Sequence, residues 1–306
     1  MLSRAAENLY WAGRHVERAD ATARLLAMGA RMTVLPGADA RGDWESVMRA
    51  AGALPPKDTV VGRLDAVDSL LLSENGSSVR GSLRQARENG RAERTALTTQ
   101  MWEALNDDWR ALDGVTPMEA SRSLFDHVDW AIRRSASFRG AVETTMLRND
   151  RYEFLRLGGL IERAGMTLRL LDVKYLALLP ERDVVGGGRD TFQWSALLLA
   201  SSGLRAYHHL YRGEISATNI ADLLVFNRAF PRSLAFCVAD ILTALDNLAA
   251  IYAQRHLCHE SAAELHRSLS MTDIDEVFAD GLHEFILQRL ADIRALHNAV
   301  NDAYGF

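Results

Sequence analysis

The sequence predicts an all-α protein, a multi-helix bundle built from two internally related helical halves that share one core. Three observations carry this. Apolar residues recur at spacings of three and four along almost the whole chain, and β-branched alternation never runs beyond a few residues. Proline, the strongest helix breaker, occurs 6 times in 306 residues and falls in places such as Leu54-Pro55-Pro56. The stretch from Gly13 to Leu26 aligns without gaps on Gly158 to Leu171, and eight of the fourteen positions are identical.

The first helix is predicted over 3–34, stopped by Leu35-Pro36-Gly37, and two shorter helices follow at 43–53 and 59–72. Ser77 or Ser78 caps a long helix at 78–112. The run Asp113-Gly114-Val115-Thr116-Pro117 stops it, and Thr116 caps the next helix, 117–148, with Pro117 in the first turn where its missing N–H is not needed. A helix over 151–179 follows with almost no linker. The seam between the halves therefore lies near Asn149-Asp150, with residues 1–149 and 150–306 as two repeat units of one compact domain. Pro180 to Gly188 is a connector, because Gly186-Gly187-Gly188 follows a helix and lacks the Lys-Ser/Thr ending of a phosphate loop. Helices at 191–212, 217–226 (capped by Ser216), 231–255, 260–269 and 273–303 complete the chain.

The repeat pairs Gly13 with Gly158, Glu17 with Glu162, Arg18 with Arg163, Thr22 with Thr167 and Arg24 with Arg169. A fainter echo pairs Leu71-Leu72, Asn75 and Arg80 with Leu223-Leu224, Asn227 and Arg232. Seven residues are nearly two helical turns, so Glu17 and Arg24 share a face with Gly13, as Glu162 and Arg169 do with Gly158. Tyr10 and Met28 lie within about 20° of Glu17 on that face, and Leu155 and Val173 take the same places around Glu162. Carboxylates on so apolar a surface are buried or line a cavity, and a buried ion must be paired.

Two readings of the cluster Arg14, Glu17, Arg18, Arg24, Glu162, Arg163 and Arg169 follow. In the first, related salt bridges pin the central helices and do no chemistry. In the second, Glu17/Arg18 and Glu162/Arg163 face each other across a pseudo-twofold interface, with Gly13 and Gly158 allowing a ligand or backbone to approach. Arginine would clamp a carboxylate or phosphate and glutamate would hold an amine, which suits an amino-acid or peptide ligand. Tyr10, Asn75, Arg80, Asn227 and Arg232 stand as supporting candidates.

Composition excludes several classes. A net charge of −5 does not suit nucleic acid or an acidic membrane surface as partner. Cys237 and Cys258 form no CxxC pattern, no apolar leader or membrane-length run is present, and a reducing cytoplasm is the expected compartment. Lys57 and Lys174 are the only lysines, which argues against lysine-dependent catalysis. His256, Cys258, His259 and His266 could supply metal ligands, but a polar helix end is the preferred reading, because the Glu-x-x-His pairs of metal-binding bundles are missing. No cofactor is expected. His208 and His209 point about 100° apart and belong to a partly buried helix surface. Cys237 is expected as a small buried hydrophobe, and the six tryptophans as core or helix-interface residues without a basic stripe beside them.

Leu2-Ser3-Arg4, Asn8-Leu9-Tyr10-Trp11, Arg14, Glu17-Arg18-Ala19 and Arg24, with Asn75-Gly76-Ser77-Ser78-Val79-Arg80 and Met101-Trp102-Glu103-Ala104-Leu105-Asn106, resemble the alpha-E family, a bacterial all-helical domain named for its Glu-Arg pair. The resemblance covers essentially the whole chain. Gly76 stands where many members have proline, a departure that touches only the turn. Genes of that family typically lie beside, or are fused to, those for a circularly permuted ATP-grasp ligase-like protein and a transglutaminase-like protein. The resemblance thus implies a partner or co-catalytic subunit of a system that forms and breaks peptide or amide bonds. The rival expectation is a helical enzyme acting on a small amide or peptide through the duplicated glutamates.

Overall fold

Apolar spacing puts the first helix, α1, at Ser3–Met32, and α2 follows at Ala40–Ala50. The structure, a computed structural model, describes residues 3–34, 40–53, 61–107, 109–176 and 187–306. The stop expected at Leu35-Pro36-Gly37, the prolines of Leu54-Pro55-Pro56 and all but the last two residues of the stop expected from Pro180 to Gly188 lie outside those residues. Next come α3 at Arg63–Val67, continued by a π-turn at Asp68–Leu72, then α4 at Val79–Ala92, α5 at Thr99–Asn106, α6 at Pro117–Arg122 and α7 at Leu124–Thr145. The second part has α8 at Asp150–Leu176, α9 at Gly188–Ala200, α10 at Leu204–Tyr211 and α11 at Ala217–Ala221 with a π-turn at Asp222–Phe226. It ends with α12 at Leu234–Tyr252, α13 at Leu257–Met271, α14 at Ile274–Asp280 and α15 at Leu282–Tyr304. No strand occurs among the described residues.

Four helices expected as continuous are divided, each by a local competitor for the backbone. The 78–112 helix breaks because Thr98 accepts the N–H of Met101 and starts α5 afresh after a 3-10 turn at Arg94–Ala96. The 117–148 helix breaks at Ser123, whose hydroxyl donates to Glu119 O at 3.2 Å. Ser202, at φ +58°, divides 191–212, and Gly281, at φ +112°, divides 273–303. The caps are as expected at Thr116, which forms a capping box with Glu119, and at Ser216; of the two serines before Val79, Ser78 is the cap.

The bundle is organised on the crossing of α1 and α8. Helices α4 and α7 pack on α1, while α12 and α15 pack on α8, and one continuous apolar core runs through all of them. Against the expectation that no run has membrane length, α12 is long and apolar enough to cross a membrane by length and composition, its two aspartates, Asp240 and Asp246, being too few to lower its mean hydropathy; it packs on α8 and α13 and is half buried. A Cβ on Gly13 would stand 2.0 Å from Leu155 O, and one on Gly158 2.0 Å from Tyr10 O. Only hydrogen at both positions lets the two backbones approach this closely.

A turn of similar local design precedes both α4 and α12. Ser78 Oγ donates to Ser73 O and accepts from Gly81 N, while Ser233 Oγ donates to Asn227 O and accepts from Phe236 N. Arg18 donates to Gly76 O and Arg163 to Pro231 O, both at 3.3 Å. These correspondences run two or three residues out of step with the fainter echo in the sequence. Within that echo Asn75 and Asn227 have the same role, each accepting the N–H two residues on, whereas Arg80 pairs with Asp113 and Arg232 with Asp20.

Candidate functional site

The helix crossing places each Glu-Arg pair against the other, and the ion pairs are exchanged between helices. Adjacent residues on a helix point about 100° apart, so Glu17 cannot reach Arg18, nor Glu162 reach Arg163. Instead Glu162 accepts from Arg18 Nε at 2.6 Å, Arg18 Nη2 at 2.9 Å and Arg14 Nε at 2.8 Å. Glu17 accepts from Arg163 Nε at 3.0 Å and Nη2 at 2.9 Å, and from Arg139 Nη1 at 3.0 Å. Arg232 reaches Glu17 at 3.4 Å and Asp20 at 2.7 Å. Asp20 also holds Arg24 at 2.8 Å, and Arg24 donates to Ala200 O and Ser202 Oγ.

The carboxylates are interior: Glu17 is 1% exposed, Asp20 0% and Glu162 5%. Burial alone raises a carboxyl's pKa, but around Glu17 the guanidinium groups of Arg163, Arg139 and Arg232 more than offset it and hold the group at about 2. Burial of Glu162 is likewise outweighed by Arg18 and Arg14, which also hold it at about 2, and Asp20 is pulled lower still by Arg232, Arg24 and Arg139. In the unfolded chain a glutamate returns to its ordinary 4.5, so the contribution to stability is complete above that pH. Between 4.5 and 2 the unfolded state binds protons that the folded state refuses, and stability falls. Urea midpoints are thus expected to be level from pH 6 to 8 and to drop steeply from pH 5 to 2.5; a level acid limb would contradict the pairing.

Two cavities adjoin the crossing. The larger, about 350 Å³, is lined by Glu17, Arg139, Arg156, Arg163, Glu143 and Asp240 with the rings of Phe138 and Phe236. The smaller, about 230 Å³, is lined by Arg14, Arg18, Glu162, Arg169, Arg294 and His297. Tyr10 reaches this second region: burial keeps its hydroxyl protonated, and that oxygen lies 2.7 Å from His297 Nδ1. Burial also lowers His297 to about 4, so the ring stays neutral. Burial lowers Arg169 from its ordinary value against the pull of Glu162, and Arg18, Arg294 and Arg14 add to the lowering.

Most of the candidate residues named from the sequence meet here: Arg14, Glu17, Arg18, Arg24, Glu162, Arg163, Arg232, Tyr10, Gly13 and Gly158 form one connected region, and Arg169 lines its smaller cavity. Three do not. Arg80 is at the surface with Asp113 and Glu74, and Asn75 and Asn227 accept from backbone N–H groups in their own turns. Sequence reasoning missed Asp20 and Arg139. Asp20 sits three residues after Glu17 on a buried helix and was legible as a second buried carboxylate; Arg139 is one of several arginines on α7, and nothing local distinguishes it.

The remaining candidates have plain structural explanations. His259 accepts from His256 N at 2.9 Å and lies 3.1 Å from Leu245 O, pinning α13 to α12. Among the described residues no three His, Cys, Asp or Glu side chains converge to hold a metal. Burial pushes the Cys237 thiol up to about 12. His208 and His209 are exposed, not half-buried, because α10 turns only Tyr207 fully inward. Trp44 and Trp194 are core residues, but Trp102 and Trp109 do have basic neighbours: Arg87 stands over both rings, with Arg94 over Trp102 and Arg110 over Trp109.

Comparison with known proteins is consistent with this architecture. An uncharacterized protein of Mycobacterium bovis and two of Mycobacterium tuberculosis are each 25% identical to the chain over 328 residues, covering 98% of it. The chain spans 36% of the length of each of these curated relatives. No solved structure matches it. The Alpha-E family, described as a predicted alpha-helical domain with a conserved ER motif, matches residues 1–304. A match over essentially the whole length means that this chain belongs to the Alpha-E family.

Proposed function

We propose that the chain is a ligand-holding partner or co-catalytic subunit of a peptide- or amide-bond-modifying system in the cytoplasm, working with a circularly permuted ATP-grasp ligase-like protein and a transglutaminase-like protein. The observation that carries this is the state of the Glu-Arg pairs. A general base must accept a proton near working pH, whereas both glutamates are buried, ionised and each held by at least two arginines. They are spent on holding the crossing, so the bond-making chemistry belongs to a partner. The greater length of the relatives supports a domain that works beside other protein segments. The larger cavity, with both charge signs and two phenyl rings, suits the end of a peptide or an amino acid.

In the same reading the halves 1–149 and 150–306 are two repeat units descended from one duplicated helical unit. The exchanged ion pairs, the paired glycines and the two serine-capped turns support it. The test is reconstitution with the ligase-like protein of the same organism. Co-elution and a change in its ATP turnover of at least several-fold are expected. Separate elution with unaltered turnover would reject the subunit assignment.

A further inference from the structure

The smaller cavity carries an excess of cation that the fold does not need. Its lining holds four guanidinium groups, Arg14, Arg18, Arg169 and Arg294, against one carboxylate, Glu162, a net formal charge of +3 with His297 neutral. Arg14 and Arg18 are the two that bind Glu162. Arg169, half-buried, and Arg294, exposed, make no hydrogen bond or ion pair with any described residue. Like charges gathered in one recess raise the energy of the empty protein, and an anion entering the recess removes that repulsion. The rest of the lining, including Ile161, Met166 and Leu290, is apolar.

We propose that this cavity binds the phosphoryl group of a small phosphate monoester, with Arg169 and Arg294 as its main ligands and the ester's organic part against the apolar wall. A carboxylate brings one negative charge and two oxygens. A phosphate monoester brings about −1.5 to −2 charges at pH 7 and three acceptor oxygens, enough to meet guanidinium forks arriving from different helices. The size of the recess admits a small organic group beside the phosphate. The site is separate from the cavity assigned above to a peptide, so it stands or falls independently of the partner reading.

The test is calorimetric titration of the full chain at low salt with phenyl phosphate and with benzoate, which share a ring and differ in the anion. Phenyl phosphate is expected to bind, and benzoate at least tenfold more weakly. Arg169→Met should weaken phenyl phosphate at least tenfold while raising the melting temperature of the unliganded protein, because a half-buried cation that faces three others is removed. That pairing of lost affinity with gained stability is not expected of a residue that merely supports the fold. Arg294→Ala, at an exposed position, should weaken binding at least threefold without altering the melting temperature, and it keeps the test sound if the first variant folds poorly. Arg91→Ala, in a surface pair with Glu88, should bind as the parent does. Absence of phenyl phosphate binding, equal binding of benzoate, or parental affinity in the Arg294 variant would overturn the proposal.

Discussion

Glu162→Gln is expected to lower the unfolding free energy by about 3–5 kcal/mol, the loss typical of removing one partner from a buried ion pair. The amide keeps the shape of the side chain but leaves Arg14 and Arg18 without a counter-charge in a region already crowded by Arg169 and Arg294. It also turns one acceptor into a donor facing guanidinium N–H groups. Urea unfolding at pH 7 measures the effect, and function in the complete system should fall only as folded protein is lost. A collapse of function at unchanged stability would restore the reading in which this carboxylate does chemistry. Glu17→Gln belongs to the same class but lies nearer the lower bound, because Asp20 continues to neutralise Arg139 and Arg232. The double variant should be non-additive, since each glutamate holds the arginine of the other's helix.

Gly13→Ala and Gly158→Ala should each destabilise by at least about 3 kcal/mol, the upper part of the usual range for overpacking. The new methyl group would lie 2.0 Å from a carbonyl oxygen of the facing helix in either case, and a backbone atom cannot rotate aside as a side chain can. The helices must part, and in parting they lengthen the ion pairs beside the crossing. Combining the two should add little beyond the first, because the crossing is already open. Gly140→Ala supplies the contrast: it lies within α7, exposed, with nothing near its Cβ position, so alanine there should be neutral or stabilising by up to about 1 kcal/mol. Equal losses at all three positions, read from urea midpoints, would remove close backbone approach as the explanation.

The sequence alone determined the helical class and the identity of the central region. Helical periodicity is a local property, and the charges set into an otherwise apolar repeat marked Glu17, Arg18, Glu162 and Arg163 as interior before any packing was known. Helix ends written in side chains, at Thr116 and Ser216, were legible for the same reason. The breaks at Ser202 and Gly281 were not, because they depend on a positive φ imposed by how the flanking helices dock. Pairing likewise belonged to the tertiary structure alone. The repeat aligns Arg24 with Arg169, yet Arg24 is bound by Asp20, Ala200 O and Ser202, whereas Arg169 has no such partner among the described residues. Position 165, which matches Asp20 in the repeat, is glycine, and among the described residues no carboxylate from another helix replaces it. Matching arginines in similar local sequence thus became a satisfied core ion and a cation in a cavity without a partner among the described residues. A guanidinium's partner is set by which helices converge on it, and that is decided across more than a hundred residues of chain.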